Sequence, residues 1–283
     1  MDTQSSIPLA EILRPTEISD IVGQDHILGE GQSLKVAIDS GNLPSIILWG
    51  PPGVGKTTIA RVIANNVDAQ FIALSAVLCG VKEIRDSVEK AEFVSEQHNK
   101  KTILFVDEVH RFNKSQQDAF LPHIESGLII FIGATTENPS FEVNSALLSR
   151  CQTYVLKTLS ADSLTKIIDK VIDEYKKVSI DDLAKEMMLT YANGDARRLI
   201  NLLEMLINSL KPKMAGIINK ELVDKIISDK VRRFDKGGEQ FYDQISAMHK
   251  SVRGSNPDAS VYWLLRMIDG GADPLYLARR IIR

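Results

Sequence analysis

Ile46-Ile47-Leu48-Trp49-Gly50-Pro51-Pro52-Gly53-Val54-Gly55-Lys56-Thr57-Thr58 decides the fold. Four consecutive apolar residues, two of them β-branched, read as a buried strand that breaks at once into glycine and proline. Gly50 to Thr57 then fits GxxxxGK[ST], and a helical pattern opens at Lys56. Strand, glycine turn and helix start, in that order, are the context the pattern needs. Backbone N–H groups from Gly53 to Thr57 can cradle phosphate oxygens at a helix N-terminus, and Lys56 can reach the β/γ-phosphates. Thr57 is positioned for Mg2+. The expected nucleotide contacts are therefore Gly50, Pro51, Pro52, Gly53, Val54, Gly55, Lys56, Thr57 and Thr58. A random chain of this length shows the pattern about 1% of the time, so in this context the motif is specific.

Outward from the loop, short apolar runs alternate with longer amphipathic stretches. Strands are expected at 46–49, 71–74, 103–107, 128–134 and 152–156, with helices at 56–66, 81–98 and 114–125 and a turn of helix near 144–148. The class is α/β, a doubly wound, five-stranded parallel sheet with helices on both faces. Beyond residue 156 no strand-like run recurs, and periods near 3.6 predict helices at 160–177, 181–191, 195–210 and 219–230. After Arg233 come the breakers Gly237-Gly238, Gly254-Ser255-Asn256-Pro257 and Gly270-Gly271-Ala272-Asp273-Pro274, with helical patterns between them. The expected organisation is a P-loop domain over 1–157, a small helical lid over 158–232 and part of a helical C-terminal domain over 233–283. Tyr262 and Trp263 are read as helix core.

Composition narrows the class. The 283 residues are 44% hydrophobic and 25% charged, typical of a folded globular chain. Thirty-four Lys and Arg against 37 Asp and Glu give a net charge of -3, so any nucleic-acid contact has to be local. Arg232, Arg233, Lys236, Lys250, Arg253, Arg279 and Arg280 are interleaved with acids and read as a solvated face. Cys79 and Cys151 form no CxxC, and five scattered histidines offer no ligand spacing, which argues against a disulfide framework or a structural zinc. The N-terminus has no basic segment before an apolar one, and the densest apolar run, 128–134, is far short of the roughly 20 residues of a membrane span. A cytoplasmic protein with no membrane partner is expected.

Binding alone does not hydrolyse a nucleotide; a second strand must bring an acid for the metal and a group for water. Ile103-Leu104-Phe105-Val106-Asp107-Glu108 brings both. Asp107, at the strand end, can hold hydrated Mg2+, and Glu108 can polarise the attacking water. His110 reads as a surface or supporting residue. Further on, Gly194-Asp195 looks like a helix start with Asp195 as N-cap, and Leu199, Leu202, Leu203, Leu206, Ile207 and Leu210 define its buried stripe. Arg197 falls opposite that stripe, in a first turn whose dipole disfavours cations, a position suited to an anion partner.

Together these motifs resemble the AAA+ ATPases. The resemblance implies that Thr136, ending Phe131-Ile132-Gly133-Ala134-Thr135-Thr136, acts as sensor 1. It implies that Arg150 in Ser149-Arg150-Cys151 is an arginine finger reaching a neighbouring subunit's ATP, and that Arg197 in Gly194-Asp195-Ala196-Arg197 is sensor 2. Arg14-Pro15 and Ile21-Val22-Gly23-Gln24 resemble the segment that packs on adenine. Val106-Asp107-Glu108-Val109-His110-Arg111-Phe112-Asn113-Lys114-Ser115, Ala134-Thr135-Thr136-Glu137-Asn138-Pro139-Ser140-Phe141 and Phe234-Asp235-Lys236-Gly237-Gly238-Glu239-Gln240 are similar to the replication-associated recombination factors, bacterial relatives of the Werner helicase-interacting protein. That branch implies an ATP- and Mg2+-using, DNA-dependent ATPase at stalled replication forks. Implied partners are single-stranded or gapped DNA, further copies of the chain in a homo-oligomer, single-stranded-DNA-binding protein and replisome components. Chains of that branch continue past the equivalent of Arg283, so a C-terminally truncated oligomerisation domain is expected. A clamp-loader subunit, a branch-migration motor and an ATP-gated protein-binding adaptor remain open alternatives.

Overall fold

The computed structural model describes residues 8–175, 178–210, 216–232, 239–269, 272 and 274–281. In chain order the elements are α1 (Leu9–Ile12), α2 (Asp25–Leu28), α3 (Ser33–Asp39), β1 (Ile46–Trp49), α4 (Lys56–Asn66), β2 (Gln70–Ser75), α5 (Val81–His98), β3 (Thr102–Asp107), α6 (Lys114–Asp118), α7 (Leu121–Glu125), β4 (Ile129–Thr135), α8 (Pro139–Glu142), α9 (Ser145–Leu148) and β5 (Gln152–Val155). There follow α10 (Ala161–Glu174), β6 (Val178–Ile180), α11 (Asp182–Ala192), α12 (Ala196–Ser209), β7 (Gly216–Ile218), α13 (Lys220–Arg232), α14 (Glu239–Arg253), α15 (Pro257–Asp269) and α16 (Pro274–Ile281).

Strands β1 to β5 form one parallel sheet in the order β2-β3-β4-β1-β5. Strand alternation sends successive residues to opposite faces, and both faces are covered. On one, Ile46, Leu48, Ile103, Phe105, Ile132 and Ala134 pack with Ile59 and Ile63 of α4 and Leu34 and Ile38 of α3. On the other, Ile47, Leu104, Val106 and Phe131 pack with Ile84 and Ala91 of α5 and with Phe112 and Phe120. Burial on both sides is why these strands read as continuous apolar runs. All five run the same way, so the loops after them collect at one edge. P-loop, acid pair and Thr135-Thr136 follow the adjacent strands β1, β3 and β4.

The chain divides into two compact units, residues 1–179 with 188–215 and residues 180–187 with 216–283. The first holds the sheet and α12. In the second, Ile245, Met248, Met267, Ala272 and Leu277 form a small core with Trp263 and Tyr276 packed against it. Tyr262 is 56% exposed, which corrects the expectation that it is core: it and Trp263 are successive, about 100° apart on α15, and only one can face inward.

Two further expectations are corrected. The helix expected at 114–125 is two, α6 and α7, because Pro122 has no N–H to donate and stands in the first turn of α7. Strands do recur after residue 156, as β6 and β7, each of three residues and too short for alternation to register in sequence. Lys177, Arg233, Lys236, Gly237-Gly238 and Gly270-Gly271, with most of the Phe234 to Gln240 segment, lie outside the described residues. Among those described, no helix is long and apolar enough to cross a membrane.

Candidate nucleotide site

β1 ends at Trp49, between Thr135 of β4 and Val155 of β5, so Gly50 opens the P-loop beside the end of the central strand β4. A side chain at Gly50 would collide with the Leu156 carbonyl, 2.6 Å from an ideal Cβ. Gly53 and Gly55 have φ of +72° and +97°, a left-handed turn that aims the following amides inward and starts α4 at Lys56. Lys56 is 8% exposed. Its Nζ donates to the carbonyls of Gly50 (2.6 Å) and Pro51 (2.9 Å). Burial holds its pKa below the usual lysine value, Glu108 and Asp107 pull it back up, and Arg197 pushes it down. Lys56, the acid pair and Arg197 thus share one electrostatic field.

Asp107 closes β3, and Glu108 follows in the left-handed region (φ 55°, ψ 47°) before a 3-10 turn over Val109–Arg111 anchored by buried Val109. A non-glycine residue at that φ is uncommon; here it turns the acid off the strand line toward the cleft. Thr136 Oγ1 donates to Glu108 Oε2 (3.4 Å), and His110 Nδ1 lies 3.3 Å from the same oxygen and 2.9 Å from Thr135 Oγ1.

From above, α12 brings Arg197. Asp195 caps it, Oδ1 accepting from the Arg198 N–H (2.9 Å), while the Ala196 N–H donates to the Gly53 carbonyl (3.1 Å). A Cβ at Gly53 would overlap the Asp195 carboxylate, whose farther oxygen is only 2.7 Å from its ideal position. The N-terminal segment is tied to the same helix, since the Leu9 N–H donates to Glu204 Oε1 (2.8 Å).

The result is a cleft with two halves. Pro52, Gly53, Lys56, Thr57, Asp107, Glu108 and Arg197 line a polar half. Leu13, Pro15, Ile21, Val22, Val54, Leu159 and Ile167 line an apolar half, with Asp20 and Lys170, an ion pair at 3.3 Å, among its lining residues. Ala10, Arg14, Gly55, Thr58, Ala196 and Ile200 border both halves, which makes them one continuous space. An apolar slot joined to a cationic cradle suits a nucleobase joined to phosphates. Among the described residues no group of three or more His, Cys, Asp or Glu could hold a metal alone. Thr57 and Asp107 fit Mg2+, which is commonly held by one or two oxygen side chains with phosphates and waters supplying the rest.

Of the residues singled out by sequence, Ile21, Val22, Val54 and the run from Pro52 to Thr58 border this cleft with Asp107, Glu108 and Arg197. Gly50 and Pro51 contribute the carbonyls on Lys56, and Thr136 reaches it through Glu108. Arg150 lines neither half. Its Nε donates to Glu125 Oε1 (2.7 Å), Nη2 pairs with the same oxygen, and Nη1 donates to the Ala146 carbonyl (2.8 Å). Sequence reasoning missed Ala10, Leu159, Ile167 and Ile200 in the lining and the contact of Asp195 with Gly53. Ala196 and Ile200, four apart, share a helix face with Arg197, a signal the spacing carried.

The ATPase family associated with various cellular activities (AAA) matches residues 46–159, the AAA C-terminal domain 174–253 and the MgsA AAA+ ATPase C-terminal model 254–283. The chain is 52% identical to replication-associated recombination protein A of Coxiella burnetii over 98% of its own length and 64% of that protein's. To the Escherichia coli K12 protein of the same name it is 50% identical, over 97% and 63%. ATPase WRNIP1 of Dictyostelium discoideum is 43% identical over 99% of the chain and 34% of that protein. The chain thus spans less than two thirds of the length of these relatives. The Thermotoga maritima RuvB Holliday junction branch migration motor shares the fold, with a TM-score of 0.66 at 25% identity over 94% of this chain and 88% of that one.

Proposed function

Because the chain belongs to the AAA family of ATPases, we propose that it binds ATP in the cleft and hydrolyses it at sites completed by neighbouring copies, with DNA at stalled replication forks as its effector. The convergence of Lys56, Thr57, Asp107, Glu108 and Arg197 on one polar cavity, continuous with an apolar slot, is the observation that carries this function. Lys56 and Arg197 neutralise phosphate charge. Mg2+, held by Thr57 and Asp107, screens the phosphates further when bound. Glu108 accepts a hydrogen bond from the attacking water and orients it, Thr136 links that carboxylate to β4, and Arg150 acts on a neighbour's nucleotide. Ile21 and Val22 pack on the base. Residues 1–157 form the ATPase domain, 158–232 the lid and 233–283 part of an oligomerisation domain; the first division is supported by family matches that break between 159 and 174, whereas the second falls inside the stretch matched over 174–253.

DNA dependence is supported by the relatives' names, replication-associated recombination protein A. Single-stranded or gapped DNA is the proposed effector, and single-stranded-DNA-binding protein and replisome components the proposed partners, in the cytoplasm. A branch-migration motor is the second possibility, favoured by the likeness to RuvB. Turnover of wild type, Lys56→Ala and Glu108→Gln is to be measured with no DNA, gapped DNA and a four-way junction, alongside binding of a labelled ATP analogue. Lys56→Ala should lose binding; Glu108→Gln should keep binding and lose turnover; gapped DNA should stimulate wild type more than the junction does. Equal loss of binding in both variants would overturn the role of Glu108, and stimulation by the junction alone would favour the motor.

A further inference from the structure

The turn after β3 contains a hydrogen-bond arrangement that fixes more than its distances. Thr135 Oγ1, at the buried end of β4, donates to the Glu137 carbonyl (3.1 Å) and accepts from the Glu137 N–H (3.0 Å). A hydroxyl has one proton. With that proton on the Glu137 carbonyl, Thr135 can meet His110 Nδ1, 2.9 Å away, only as an acceptor. That hydroxyl orientation assigns the proton to His110 Nδ1. Nδ1 also lies 3.3 Å from Glu108 Oε2, so the ring stands between the end of β4 and the acid that follows β3.

We infer that His110 is a positioning residue, whose imidazole, fixed against Thr135 through Nδ1, keeps the Glu108 carboxylate in the rotamer that presents Oε1 to the attacking water. The inference rests on the proposed role of Glu108. Three observations carry it. Glu108 sits on a left-handed backbone position and its side chain is 32% exposed, so the carboxylate needs an external restraint. Oε2 faces both Thr136 Oγ1 and His110, which leaves Oε1 for solvent. The His110 side chain is only 9% exposed, with its ring held between two strand ends, so it supplies a fixed direction.

The decisive comparison uses three replacements of His110 in the full chain with gapped DNA. An asparagine amide nitrogen, two bonds beyond Cβ, occupies nearly the place of Nδ1; a glutamine nitrogen lies one bond farther. His110→Ala should lower kcat by about 10- to 100-fold, the range for losing a group that orients a functional ligand, with labelled-ATP affinity within about twofold of wild type. His110→Asn should recover most of that loss and His110→Gln little of it. Glu108→Gln, measured in parallel, separates two kinds of failure. Full turnover by Glu108→Gln removes the premise and the inference together. An inactive Glu108→Gln beside an unimpaired His110→Ala, or equal loss in the Asn and Gln variants, overturns the inference alone. Should His110→Ala fail to fold, long-range 1H–15N spectra of wild type, with the resonance assigned from His110→Asn, decide the question. A protonated Nδ1 at neutral pH supports the arrangement, and a neutral ring protonated at Nε2 refutes it.

Discussion

Gly53→Ala tests the join between the P-loop and α12, and its size can be worked from contacts. At φ +72° an alanine costs about 1–2 kcal/mol in backbone strain. Its Cβ would also occupy the place of Asp195 Oδ1, the oxygen that caps α12 on the Arg198 N–H. Moving that carboxylate forfeits a cap of about 1 kcal/mol. The shift also strains the Ala196 N–H to Gly53 carbonyl bond, about 1 kcal/mol more. The sum is about 3–4 kcal/mol, a fall in Tm of roughly 10 °C for a unit of this size. Asp195→Ala alone loses only the cap, about 1 kcal/mol. In the Asp195→Ala background the obstacle is gone, and Gly53→Ala should cost only its backbone strain. The coupling is therefore about 2 kcal/mol, well above the roughly 0.5 kcal/mol within which independent sites add. Gly55→Ala is the control: φ is +97° and nothing lies within 4 Å of its ideal Cβ, so it should show strain and no coupling to Asp195. Urea melts of the five variants without nucleotide give all the terms. Additivity of Gly53→Ala and Asp195→Ala would refute the contact.

Arg197→Ala should lower turnover at least tenfold while the melting temperature stays within about 2 °C, since the side chain is exposed and faces the cleft. Arg198→Ala should leave turnover near wild type and lose a few tenths of a kcal/mol, because that guanidinium, away from the cleft lining, covers the Tyr191 ring at 5.8 Å and donates to the Tyr191 carbonyl at 3.5 Å. Mixing Arg150→Ala with Lys56→Ala chains should restore part of the activity each lacks, because an intact cradle on one meets an intact arginine from the other; fast hydrolysis by a demonstrated monomer would remove Arg150 from the reaction. Lys56→Met should give a stability-versus-pH curve flatter than wild type in alkali. The folded lysine has its pKa lowered from 10.5, so the unfolded chain binds the extra proton between the folded value and 10.5, and wild-type stability rises with pH across that window as the burial penalty fades. Parallel curves for the two proteins would show that Lys56 titrates normally.

Sheet and cradle were legible because their signals are local. A strand buried on both faces spells itself as an apolar run, and a left-handed turn beneath a phosphate has to be glycine, so β1 and α4 could be bounded to the residue. Thr135 and His110 were not legible as partners, since their meeting depends on β3 lying beside β4, a pairing that no spacing encodes. Asp195 was read correctly as a cap, yet its place over Gly53 follows from the path of α10 and α12 back across the sheet edge. Strands β6 and β7 escaped because three residues are too few to display a period.

The contact between Gly53 and the start of α12 is also a fulcrum. The helix has 14 residues, a rigid arm of about 21 Å. A rotation of about 10° at that end sweeps the far end through roughly 4 Å and Glu204, about 12 Å along, through roughly 2 Å. Glu204 holds Leu9, so the N-terminal strap is hauled with it, and that strap carries Ala10, Leu13 and Arg14 along the cleft wall. A small rotation at Gly53 would thereby be geared into a larger displacement of the wall of the apolar slot, and a nucleotide bound as proposed would have its two ends coupled through one helix.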